Sequence, residues 1–273
     1  MIRLLRRDTA AFLPRILMMF FAVAAAGLAG CATVAPPAAP VLPAPAWESG
    51  HLLDSLAQRD KALRSVRALA RVDYAGPEGK QGFQEAVLVQ RPANLRLETL
   101  TPLGAVLIVT ANDQEIIGYH PREGVFVRGQ RSKENLRRYT QMPLELEEIT
   151  ALLIGLPPLA AGAQSMQEGN VLIFSANGRN LDRVEFASHQ PVPTKWERLG
   201  SDGKVELSAR FSDYISTPAG AFSSRIVFEA HRQKMRLEIR YQEPELNAAI
   251  PAELFSQRMP PHVKELPIEA VGG

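Results

Sequence analysis

Arg67 to Gln90 reads RALARVDYAGPEGKQGFQEAVLVQ. Ala68, Ala70, Val72 and Tyr74 fall on one side of an extended chain, and Arg71 and Asp73 on the other. That period of two belongs to a strand with one face buried. Gly76-Pro77-Glu78-Gly79 interrupts the alternation as a turn. Gly82 to Arg91 then returns as a second strand, with Phe83, Val87 and Val89 on one face. An antiparallel hairpin of this length needs further strands beside it to bury its apolar side.

Those strands follow on both sides of a helical middle. Asn94–Leu100, Ala105–Ala111, Glu115–Tyr119 and Gly124–Arg128 come next, separated by Pro92, by Pro102-Leu103-Gly104 and by Pro121-Arg122-Glu123. Beyond the middle lie Val171–Ser175, Leu181–Ala187, Lys195–Leu199, Lys204–Tyr214, Ala221–Ala230 and Lys234–Tyr241, with turn dipeptides such as Asn177-Gly178 and Asp202-Gly203 between them. In the middle, Ser132 stands as an N-cap ahead of Lys133–Tyr139. Pro143 to Ile154 then carries Leu146, Ile149, Leu152 and Leu153 at helical intervals, with three glutamates in its early turns. A first short helix is predicted over His51–Leu63, from Leu52, Leu53, Leu56 and Leu63. Many strands without strand–helix alternation predict an α+β fold with a large antiparallel sheet. One apolar sheet face must be covered, and the leucine-rich middle helix is a suitable lid.

The chain ahead of this body has a different character. Arg3, Arg6, Arg7 and Arg15 stand against Asp8, and Ile16 to Gly30 carries no charge. A basic start, a short apolar run and small residues predict a signal peptide over residues 1–30. Leu28-Ala29-Gly30-Cys31 resembles a lipobox, and Cys31 is the chain's one cysteine. Cys31 is therefore expected to be the new N-terminus and the site of a covalent lipid, with no other cofactor. Residues 31–46 are rich in Ala and Pro, an extended linker reaching on the order of 45 Å. Residues 47–273 are expected to form one β domain and a C-terminal tail. The leader accounts for the basic balance: of 31 Lys+Arg and 29 Asp+Glu it holds four and one, so 27 face 28 in the remainder. That balance gives no electrostatic case for nucleic acid.

Signatures of catalysis are missing from the sequence. None of His51, His120, His189, His231 and His262 stands in metal-ligand spacing, and there is neither a G-x-S-x-G elbow nor a phosphate-cradling glycine loop. No enzyme and no metal site is expected. Asp182 and Glu185 read as solvated strand charges.

Three stretches resemble the LolA/LolB-like lipoprotein-sorting family, and within it the outer-membrane lipoprotein receptor LolB. They are the Arg67–Gln90 hairpin, Asn94 to Thr110 (NLRLETLTPLGAVLIVT), and Tyr139 to Pro157 (YTQMPLELEEITALLIGLP). Phe211–Arg240 and the tail Pro244–Pro267 depart from the receptor and look more like other LolA-like proteins. The resemblance implies an unclosed β-barrel, a half-barrel covered by inserted helices, with an apolar cavity between. It implies a monomer that receives acylated lipoproteins from a periplasmic LolA-like carrier and inserts them into the outer membrane. The alternative is a LolA-like lipid-binding, envelope-sensing or assembly lipoprotein without transport activity. Ala32 in place of an inner-membrane retention aspartate points to the outer membrane, facing the periplasm.

The resemblance also nominates residues. Val87, Val89, Leu95, Leu97, Val106 and Ile108 would line the acyl cavity, with Leu146, Ile149, Leu152 and Leu153 as its lid. Alternation leaves open which of them point inward, and a second reading makes them ordinary core. Pro102, Leu103 and Gly104 would form a membrane-insertion loop, with Leu103 protruding; in the second reading Leu103 folds back onto the sheet.

Overall fold

The computed structural model describes residues 47–48, 50–159 and 162–270. The predicted signal peptide, Cys31 and the linker lie outside the described residues.

Hairpin follows hairpin along the chain. After helix α1 (His51–Ala62) come β1 (Ser65–Gly76), β2 (Gly79–Gln90), β3 (Asn94–Thr101), β4 (Gly104–Ala111), β5 (Glu115–His120) and β6 (Val125–Gln130). Helices α2 (Lys133–Thr140) and α3 (Leu146–Leu153) interrupt the meander. It resumes as β7 (Gln164–Glu168), β8 (Val171–Ala176), β9 (Arg179–Phe186), β10 (Pro193–Leu199), β11 (Val205–Thr217), β12 (Gly220–Ala230) and β13 (Met235–Leu246). A last short strand, β14 (Lys264–Pro267), adds to the edge. Among the described residues these make one 14-stranded sheet in the order β14-β6-β5-β4-β3-β2-β1-β13-β12-β11-β10-β9-β8-β7. All pairings are antiparallel except β14 with β6. The sheet is an unclosed half-barrel: β14 and β7 remain at opposite edges, and the chain between β6 and β7 supplies the helices that cover it.

Register explains the buried face. Val66, Ala68, Ala70 and Val72 of β1 stand opposite Val89, Val87, Glu85 and Phe83 of β2. In turn Val89, Val87 and Glu85 oppose Leu95, Leu97 and Thr99 of β3. Leu95, Leu97 and Thr99 oppose Ala111, Val109 and Leu107 of β4. This inner face belongs to the main core, with Trp196, Phe222, Phe228 and Ile239 from the other half of the sheet. The alternation of β4 puts Ile108 on the other face, away from Leu107 and Val109. There the tail covers it: Phe255 is buried, and the Gln257 amide donates to the Ile108 carbonyl at 3.2 Å. Ile108 is thus not a lining residue of the concave side. A β-bulge between Thr99 and Leu100 shifts the register just beyond it, which a simple period-two reading misses.

Helix α3 sits in the core like a plug. Leu146, Ile149, Leu152 and Leu153 are all buried, as are Thr150 and Ala151. Its start is pinned. The Glu148 carboxylate accepts from the Glu145 amide at 2.9 Å and pairs with the Arg198 guanidinium. Arg198 also donates to Asp182 at 2.9 Å and to the Pro158 carbonyl at 2.6 Å. Its end is pinned too, because the Tyr241 hydroxyl donates to the Leu153 carbonyl at 2.7 Å, one of the carbonyls a helix end leaves unpaired. Asp182 is fully buried between Arg198 and the Trp196 indole, which donates to it at 3.2 Å. It is a structural carboxylate and not the solvated charge its strand pattern suggested. In α1, Leu52 and Leu56 are buried while Leu53 faces outward. The predicted N-cap of α2 is present: Ser132 Oγ accepts from the Asn135 amide at 3.1 Å.

Candidate functional site

Between the inner face of the sheet and the end of α2 lies a cavity of about 420 Å³, within the range of small-ligand sites, roughly 300–1,000 Å³. Its buried wall comes from Val72, Val87, Val109 and Ile239, one from each of β1, β2, β4 and β13. Phe83, Leu97, Leu107 and Leu237 extend that wall. Tyr139, Thr140 and Met142 close it from the end of α2, and Leu153 from the end of α3. Gln81 and Glu123, both exposed, stand at its rim beside the β1–β2 and β5–β6 turns. The cavity therefore opens at the end of the sheet where those turns lie.

The nominated lining residues divide. Val87, Leu97, Val106 and Leu153 line this cavity. Val89 and Leu95, on the same sheet face, are fully buried in the core, as are Leu146, Ile149 and Leu152. Ile108 faces outward, as described above.

The β3–β4 turn lies at the same end as the cavity mouth. Leu103 is 87% exposed, the highest value among the large apolar residues described. Pro102 and Leu103 connect Thr101 to Gly104, and Gly104 sits at φ 103°, backbone that a side chain disfavours. Thr101 Oγ1 organises the tip. It donates to the Gly104 carbonyl at 2.9 Å and accepts from the Leu103 amide at 3.3 Å. Arg122, in the neighbouring turn, donates to it at 3.0 Å. Leu103 is thus held away from the sheet by a braced turn, and the fold-back reading does not apply.

Polar atoms within the cavity were not nominated from the sequence. Glu85 is buried on the inner face and accepts from Thr99 Oγ1 at 3.1 Å. Burial pushes its carboxyl up to about 7, against the opposing Thr99 hydrogen bond. His120 Nδ1 faces the Glu123 carboxylate at 3.3 Å. Burial pushes the Tyr139 phenol up to about 12. The signal for Glu85 was present: it falls between Phe83 and Val87 in the apolar register of β2, where a solvated carboxylate has no place. His120 and Tyr139 carried no such mark. Among the described residues no group of three or more His, Cys, Asp or Glu is placed to hold a metal ion.

A second hollow of about 400 Å³ lies between α1 and α3. Asp60, Lys61, Arg91, Glu147 and Glu148 line it beside its leucines, so it is a poorer receptor for an apolar chain.

No family model and no curated protein sequence matches the chain. Solved structures do. A putative outer-membrane lipoprotein-sorting protein domain from Vibrio parahaemolyticus aligns at TM-score 0.52 and 10% identity, over 75% of this chain and 94% of that one. A LolA superfamily protein from Nitrosomonas europaea aligns at TM-score 0.51 and 14% identity, over 76% and 97%. A DUF1329 family protein from Desulfovibrio piger aligns at TM-score 0.51 and 11% identity, over 75% and 95%. The chain has the LolA-like fold that the resemblance implied.

Proposed function

We propose that this chain is a lipoprotein acylated on Cys31 and held in the outer membrane facing the periplasm, with its described body as a single folded domain. In this reading the cavity takes acyl chains of other lipoproteins from a periplasmic LolA-like carrier. The Leu103 turn then touches the bilayer where they are delivered. One observation carries the reading: the apolar cavity and the most exposed leucine share one end of the sheet. Burying a few methylenes in such a wall contributes about 0.8 kcal/mol each, without any reacting group. A leucine burying itself in lipid adds roughly 1.5–3 kcal/mol, enough for contact and too little for anchoring.

The test is depletion of the protein, followed by tracking other lipoproteins between inner membrane, periplasm and outer membrane. Accumulation short of the outer membrane is expected. A second reading, a lipid-binding or envelope-sensing module that transports nothing, draws on the pinned α3 plug, which leaves room for a modest ligand only. Normal lipoprotein distribution together with co-purified lipid would favour that second reading and overturn delivery.

A further inference from the structure

The cavity walls are apolar, but three residues on them carry polar groups, and two of those groups have no partner within the fold. Glu85 is buried opposite Ala70 and Thr99. His120 Nε2 and Tyr139 Oη are buried without a hydrogen-bond partner among the described residues. Buried polar atoms are normally paired, so each exception calls for an explanation. These two atoms belong to residues that line the same cavity, together with Glu85. Both atoms have almost no accessible surface, so a ligand seated there would supply the missing partners once the two rings turn toward it.

The chemistry of the lining selects the ligand. With His120 Nδ1–H directed at Glu123, the neutral ring offers Nε2 as an acceptor. The Tyr139 hydroxyl can donate or accept. Glu85 and Glu123 both line the cavity, whereas no lysine or arginine does among the described residues. A carboxylate or phosphate head entering it would meet Glu85 in the buried wall, where water screens poorly, and Glu123 at the solvated rim, with no lysine or arginine to pair with. An uncharged head with hydroxyl, ester or amide groups would satisfy Nε2 and Oη and leave no buried charge.

We propose that Glu85, His120 and Tyr139 form a polar subsite that admits lipids with an uncharged glyceryl-ester or amide head and turns away fatty-acid and phosphate anions. This rests on the reading of the cavity as an acyl-chain site and adds to it a choice of head group. The lipid-modified cysteine of a lipoprotein and a free glyceride share the required chemistry.

The experiment uses the full chain in dodecyl maltoside and two probes with the same diazirine-bearing palmitoyl chain. One is the monoacylglycerol and the other the free acid, compared above neutral pH. Labelling of peptides spanning residues 83–87 and 139–142 is read by mass spectrometry. The glyceride should label them about tenfold more than the acid, the effect of one buried polar group left unpaired. Glu85→Gln should narrow that ratio by raising acid labelling, and Tyr139→Phe by lowering glyceride labelling, with unchanged circular dichroism. Equal labelling by both probes in the wild type overturns the head-group choice and leaves acyl binding standing. Labelling of neither peptide by either probe overturns acyl binding itself. Hexadecylamine competing better than unlabelled monoacylglycerol also overturns the proposal. Competition by a dipalmitoyl-S-glyceryl-cysteine peptide supports it with a lipoprotein as the source. Competition by dipalmitoylglycerol alone supports it with a free glyceride.

Discussion

Tyr139 lies directly on Gly118: a β-carbon at that glycine would stand 2.4 Å from both the ring Cζ and the phenolic oxygen. Gly118 is on β5, opposite Val109 of the cavity wall. The missing side chain is what lets the end of α2 settle over the cavity. Gly118→Ala should displace Tyr139, cost about 1–3 kcal/mol as an overpacked contact, and alter probe uptake. Tyr139→Ala in the same chain should return part of that loss. Additive single and double variants in a urea-denaturation cycle would rule out the contact.

Glu85 makes stability depend on pH. Burial pushes its carboxyl from the ordinary 4.5 up to about 7, so the folded state holds the proton more tightly than the unfolded chain. The unfolded state binds fewer protons across that window, and stability must fall as pH rises from 4.5 to about 7. The full span is on the order of 3 kcal/mol. His120, Glu123 and Tyr139 line the same cavity and Glu98 adds its charge from β3, so Glu85→Gln is needed to isolate the effect. The variant should flatten this part of the profile. Identical profiles for wild type and Glu85→Gln would show that Glu85 is not the cause.

A charge separates the wall of the cavity from the core beneath it. Leu97 lines the cavity, whereas Leu152 is fully buried in the α3 plug. Leu152→Glu should unfold the body, because an unpaired buried carboxylate costs several kcal/mol. Leu97→Glu should leave a folded protein, with a smaller loss of stability and weakened binding of a fluorescent fatty-acyl probe. Normal probe binding by folded Leu97→Glu would remove the cavity as the site.

Leu103→Glu tests delivery alone. The residue is 87% exposed, so stability should stay within about 0.5 kcal/mol of wild type. Probe binding should be unchanged, and transfer of lipoprotein to liposomes should drop. Transfer at the wild-type rate would exclude Leu103 from the membrane contact.

Much of the sheet was legible because long runs of its hairpins keep a period of two, as the Arg67–Gln90 stretch shows. Pro102 and Gly104 likewise marked the turn that carries Leu103. Two kinds of information were not local. Val106 and Ile108 were nominated together with their faces left open, and the bulge at Thr99/Leu100 separates them: Val106 lines the cavity and Ile108 does not. The role of α3 could not be read from its leucines, since a lid and a plug share one amphipathic pattern. Arg198, Asp182 and Tyr241, distant in sequence, hold its two ends in place. His120 and Tyr139 acquire their meaning only from Gly118 and Glu123, which the fold brings beside them.

The pairing of β1 with β13 has a consequence for how the molecule comes into being. Val72 stands beside Ile239, so one seam of the sheet joins the two ends of the body. A chain threaded from its N-terminus can zip β1 through β6 by local hairpins while the other edge of β1 stays bare. That edge finds its partner only once residues near 240 have arrived, and long-range pairing of this kind is slow. Until then the exposed strand must be kept from pairing with other chains, so assembly of this body would be most vulnerable to aggregation in its last step.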